Sequence, residues 1–141
     1  VFMPMQYPED VKAAKKIVAK MKQPACVLKE DFTTRELMSL VGNMDLMIGI
    51  RLHALIFAGV MGTPMIGISY DPKIDRFLKS IDEDVVGDLE NVTVEALMQE
   101  INAKWNNKEI YRNQNLKRMA KLRSLARSNA EMALEFIDKN K

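Results

Sequence analysis

Apolar and polar positions alternate between two rhythms along this chain. Val1–Met5 is a short apolar run closed by Pro4 and the Gln6-Tyr7-Pro8 loop, and it reads as a strand. From Glu9 to Met21 the apolar residues Val11, Ala14, Ile17, Val18 and Met21 keep the helical period, with lysines on the other face. Glu9 and Asp10 fall in that helix's first turn, where negative charge is favoured. Ala25–Leu28 reads as a second strand. Thr33 and Glu36 have the spacing of a capping box, opening a helix whose apolar face is Leu37, Leu40 and Val41.

Asp45–Ile50 and Pro64–Tyr70 are apolar runs of strand length. Between them Leu52–Met61 is apolar almost all round, as a helix covered on more than one side must be. Gly62-Thr63-Pro64 stops it, because glycine tolerates the exit turn and proline cannot continue a helix. Asp71 can then cap a new helix with Pro72 in its first position, buried through Ile74, Phe77, Leu78 and Ile81. Asp84–Gly87 predicts a last short strand. Thr93 caps a helix through Val94, Leu97, Met98, Ile101 and Trp105. From about Lys108 onward one long helical pattern runs without Gly or Pro.

Strand and helix alternating in this way predict an α/β fold, a Rossmann-like parallel sheet flanked by helices with a long C-terminal helix. Residues 1–141 are expected to make one such domain, with 108–141 as a basic closing helix. Val1 begins inside an apolar run, so the sequence reads as a piece cut from a longer protein.

Composition changes the picture little. Apolar residues at 48% and charged residues at 28% are those of an ordinary globular chain, and no apolar run is long enough for a membrane span. The eleven methionines read as core filler. Cys26, the one cysteine, excludes an internal disulfide and is expected to be a small buried hydrophobe in a reducing compartment. One histidine and one cysteine argue against a zinc site, and no metal is expected. The net charge of +2 hides an asymmetry: residues 1–107 sum to −3 and residues 108–141 to +5. Between Ile110 and Ala130 lie Arg112, Lys117, Arg118, Lys121, Arg123 and Arg127 with no acidic residue, beside an apolar side of Leu116, Met119, Leu122 and Leu125. Three readings stand: a closing helix with a solvated basic face, packing against a further domain, and peripheral contact with an anionic membrane. Aromatic residues do not interleave with the charge, so nucleic acid is not expected as a partner.

Candidate chemistry concentrates where strands turn into helices, the edge at which open parallel sheets bind ligands. Arg51, Leu52 and His53 follow the first central strand, and Tyr70, Asp71 and Lys73 follow the second. Helix N-termini already favour anions. Arg adds a planar charged fork suited to phosphate or carboxylate, Lys a second cation, and His a mobile proton. Taken singly, His53 reads more readily as a hydrogen-bonded structural histidine than as a catalyst, Arg51 as a partner of an acidic surface residue, and Asp71 as a mere cap. No glycine-rich phosphate loop is present.

Ile50-Arg51-Leu52-His53-Ala54, Gly62-Thr63-Pro64 and Ile68-Ser69-Tyr70-Asp71-Pro72-Lys73 together resemble the polysaccharide pyruvyl transferase family, in its bacterial cell-wall members. Met3-Pro4-x-Gln6 and Glu36-Leu37 add to the resemblance, which covers the C-terminal part of the family's pattern. It implies half of a GT-B arrangement, two Rossmann-like domains facing across a cleft, with the N-terminal domain as partner. It implies transfer of pyruvate from phosphoenolpyruvate to a lipid-linked cell-wall saccharide as a ketal, of the kind later used for S-layer anchoring. The donor is a substrate, and no cofactor is implied. By the same resemblance Arg51 holds the donor, His53 is the acid and Lys73 a further anion contact or acid/base group. The enzyme would be cytoplasmic, at the inner membrane face. A GT-B glycosyltransferase binding a nucleotide sugar and a non-catalytic sugar- or phosphate-binding module remain the alternatives.

Overall fold

The computed structural model describes residues 1–28 and 32–139. They form two compact units, one ending at Leu37 and one beginning at Met38. In the first unit, helix α1 spans Glu9–Val18. Asp10 accepts hydrogen bonds from the backbone of Met5 and Gln6, which closes the loop leading into the helix. The two N-terminal strands expected here reduce to a single parallel bridge between Phe2 and Val27. Phe2 donates to the Cys26 carbonyl and Leu28 to the Phe2 carbonyl. Pro4 has no N–H to carry a ladder further, so the pairing stops at one residue. Cys26 itself is exposed, contrary to expectation: a single bridge, with no sheet around it among the described residues, leaves no layer to bury its side chain.

Helix α2, Thr34–Gly42, opens on the expected capping box. Glu36 accepts from the Thr33 N–H at 2.8 Å, and the Glu36 N–H donates to the Thr33 hydroxyl.

The second unit is built on three parallel strands in the order β1 (Met47–Gly49), β2 (Met65–Ser69), β3 (Val85–Asp88). Met47 pairs with Met65 and Gly49 with Gly67. Between β2 and β3 the register slips: Gly67 faces Val85 but Ile68 faces Gly87, which leaves Val86 as the extra residue of a bulge. Gly87 takes φ 154°, a region closed to side chains here because a Cβ would stand 3.1 Å from Val92.

Helix α3, Leu52–Met61, joins β1 to β2 and packs on both strands. Its end follows the sequence signal. Gly62 adopts the left-handed conformation at φ 76°, and its N–H returns to the Gly59 carbonyl. Thr63 is fully buried; its hydroxyl satisfies the Val41 carbonyl at 2.7 Å and its own carbonyl accepts from Asn115. The Gly-Thr-Pro turn is therefore an anchor as much as a stop signal.

Helix α4, Pro72–Ser80, follows β2. Gly67 faces α3 and α4, since a Cβ placed on it would run into Leu78 and Leu55. Ile66, one residue earlier, faces the other way, as strand alternation requires. It lines a cavity bounded by Lys104 and Tyr111 from helices α5 (Val94–Asn106) and α6 (Lys108–Lys139). The core between these layers is Leu55, Ile66, Ile74, Leu78 and Ile81, all essentially inaccessible. The α/β architecture with a parallel sheet, flanking helices and a long last helix is thus present; residues 140–141 of the closing-helix expectation lie outside the described residues.

The helical pattern misplaces one face. Of the expected stripe along α5, Leu97 and Ile101 are half-buried but Val94, Met98 and Trp105 are exposed, and Lys104 is buried instead. Its ammonium donates to the Met65 carbonyl at 2.7 Å and to Glu83 at 2.6 Å, and it lies over the Tyr111 ring. Arg118 of α6 closes on the same Glu83 at 2.6 Å, and Arg112 donates to the Met44 carbonyl. Two of the six cations expected on a solvated face are therefore docked on the body of the protein.

Candidate functional site

Each polar cluster singled out in the sequence lies at a carboxyl end of the sheet. Arg51 caps α3 immediately beyond β1, in extended conformation (φ −100°, ψ 126°). Its side chain makes no capping bond to the helix. The end of α4 is built the other way. Asp71 accepts from the Lys73 N–H at 2.9 Å, and Pro72 brings no N–H at all. Of the two neighbouring helix starts, α4 is capped by its own side chain and α3 is not.

Tyr70 gathers the cations. The Arg51 guanidinium lies 5.7 Å from its ring centre and donates to its hydroxyl at 3.4 Å. The Lys73 ammonium also stands 5.7 Å from the same ring and 3.3 Å from Asp71. Tyr70 is 42% exposed and Lys73 is exposed, while Arg51 is half-buried. An aromatic face offsets part of the repulsion between like charges held near each other. Arg51 and Lys73 thus border one notch around Tyr70, with Asp71 beside Lys73. Arg76, one turn into α4, also acts on Asp71, though nothing in its sequence spacing marks it as part of the cluster.

His53 is the second residue of α3 and is exposed. No hydrogen bond or ion pair ties it to Arg51, Tyr70, Asp71 or Lys73. Its place in the first turn of α3 puts it at the carboxyl end of β1. Leu52, half-buried, opens the helix beside it. Ser69, the last residue of β2, donates to Asp75 of α4 and fixes the approach of that helix to the strand end. At the third strand end Asp88 accepts from the backbone of Glu90 and Asn91 and from the Asn91 side chain. The Asn91 side chain first, then those backbone bonds, holds the Asp88 carboxyl below its ordinary range.

The Lys73 N–H likewise holds Asp71 below the usual carboxylate range; desolvation opposes it next, and the Lys73 side chain and then Arg76 add smaller lowering contributions. A depressed folded-state pKa means that the cap's contribution is complete above the unfolded value. It is lost as pH falls through the folded value. The Lys73 amide resonance is expected to titrate with a midpoint below that of a free aspartate, and Asp71→Asn is expected to remove the transition. A midpoint at the free value would show that the cap does not form.

Among the described residues no helix is long and apolar enough to cross a membrane. No curated protein and no solved structure matches the chain significantly. A family model does match: polysaccharide pyruvyl transferase, over residues 1–72. The matched segment contains Arg51, Leu52, His53, Tyr70 and Asp71 and stops one residue short of Lys73. Spanning half of the sequence and both strand ends that carry the cationic notch, this match shows that the chain belongs to the polysaccharide pyruvyl transferase family.

Proposed function

We propose that the chain carries the donor site of a ketal pyruvyl transferase acting on phosphoenolpyruvate and a cell-wall saccharide. The observation that supports this reading most is the convergence of Arg51 and Lys73 on Tyr70 beside the uncapped start of α3. Phosphoenolpyruvate carries two anionic groups, and a notch with a guanidinium, an ammonium and free helix N–H groups can receive both.

Ketal formation needs one proton added to the methylene carbon of the donor and one removed from each of two sugar hydroxyls. Protonation at that carbon, assigned to His53, leaves positive charge at the neighbouring carbon. The first hydroxyl adds there. Departure of phosphate regenerates the cation, and the second hydroxyl closes the ring. Arg51 and Lys73 stabilise the departing phosphate, whose charge grows as its bond breaks. In the GT-B arrangement a second Rossmann-like domain faces this edge and brings the acceptor. A lipid-linked acceptor would keep the enzyme at the cytoplasmic face of the membrane, and the ketal would then serve S-layer anchoring.

Titration of the full-length protein tests the donor assignment. Phosphoenolpyruvate is expected to bind, and Arg51→Met to weaken it about 10–100-fold, the value of one charged hydrogen-bonded contact. Saturable binding of a nucleotide sugar that phosphoenolpyruvate does not displace would overturn the reading in favour of a glycosyltransferase.

A further inference from the structure

From Arg123 to Lys139 every side chain of α6 is exposed. Those residues extend the helix roughly 25 Å beyond its packed part at 1.5 Å per residue. The projecting segment is not uniformly polar. Leu122, Leu125, Asn129, Met132 and Phe136 follow each other at spacings of three and four, which puts them on one seam. Leu125, Met132 and Phe136 are 55%, 60% and 70% exposed. Small residues, Ala126, Ser128 and Ala133, flank the seam and permit close approach of a second helix.

Charge along the same segment is divided in two. Lys121, Arg123 and Arg127 precede Asn129, and Glu131, Glu135 and Asp138 follow it, with Lys139 at the helix end paired to Glu135. An anionic membrane would attract the first half and repel the second. A parallel copy would set like charge against like. An antiparallel copy sets each basic half against an acidic half and opposes the helix dipoles. It also brings Leu122 and Leu125 of one helix alongside Met132 and Phe136 of the other, with Asn129 next to the two-fold axis. A polar residue in that position fixes register.

We propose that the exposed half of α6 pairs antiparallel with the same segment of a second copy, forming an isologous dimer. The positions changed in the test lie at or beyond Arg123, past Arg118 and where every side chain is exposed, so changes there do not touch the core.

Light scattering and sedimentation equilibrium of the chain test this. The wild type is expected to dimerise, and Leu125→Glu with Met132→Glu to make it monomeric. Arg123→Glu with Arg127→Glu is expected to raise the dissociation constant at least about tenfold, and adding Glu131→Arg with Glu135→Arg to restore it. A monomeric wild type, a dimer indifferent to Leu125→Glu and Met132→Glu, or a charge reversal without rescue overturns the proposal. Binding to anionic vesicles without dimerisation overturns it equally, and assigns the helix to a lipid surface.

Discussion

Replacing His53 by alanine in the full-length protein is expected to lower phosphate release from phosphoenolpyruvate, with acceptor present, by about 10²–10⁴-fold, the usual share of a positioned acid. Donor binding should change little, because binding is assigned to Arg51, Lys73 and the first-turn N–H groups of α3. The structure makes this a clean measurement. His53 is exposed at the second position of α3, and no side-chain hydrogen bond of the fold depends on it. Its removal therefore reports on chemistry and not on stability. The same loss should appear in kcat and in kcat/KM, the pattern of an interaction made only in the transition state. Wild-type turnover in His53→Ala would remove the acid role from His53 and pass it to Lys73, the other proton carrier of the notch.

Glu83→Ala is expected to destabilise the chain by about 3–5 kcal/mol, the range for breaking a buried ion pair from one side. Glu83 and Lys104 keep only 9% and 5% of their side-chain surfaces exposed, and the carboxylate binds Lys104 and Arg118 at once. Without it the Lys104 ammonium retains the Met65 carbonyl, the Tyr111 ring and a distant Glu100, which is a neutral acceptor, a weak face and a solvated charge 4.0 Å away. The cost is that of an uncompensated buried cation, not of a lost surface contact. Glu83→Gln with Lys104→Met removes both charges together and should recover much of the loss. Urea unfolding followed through Trp105, adjacent to Lys104 in α5, measures both variants. A loss below about 1 kcal/mol for Glu83→Ala would place the pair among ordinary surface bridges. Because this cluster sits at the amino side of β2 and the notch at its carboxyl side, phosphoenolpyruvate affinity should survive both variants under native conditions.

Local rules carried most of the element boundaries. The capping box at Thr33, the Asp71-Pro72 start of α4, the Thr93 cap of α5 and the Gly62 exit of α3 are all interactions within a few residues, and sequence encodes those directly. The alternation of elements then placed Arg51 and Lys73 at neighbouring strand ends, since parallel strands must point their carboxyl ends the same way. What spacing could not state is that Tyr70 would stand between them, or that α3 would be left uncapped while α4 was sealed.

The sequence by itself determined the α/β order, the helix starts and stops, and the edge on which cationic side chains gather, because each rests on backbone chemistry over a few residues. Tertiary structure alone decided which face of α5 turns inward. Lys104 looks like a solvent residue in any helical pattern, and only Glu83 and the Met65 carbonyl, distant in sequence, make its burial tolerable. It also decided that Cys26 lies outside and that the Phe2–Val27 pairing ends after one bridge. Side-chain identity fixes what a residue prefers; the partners that arrive from elsewhere in the chain fix what it obtains.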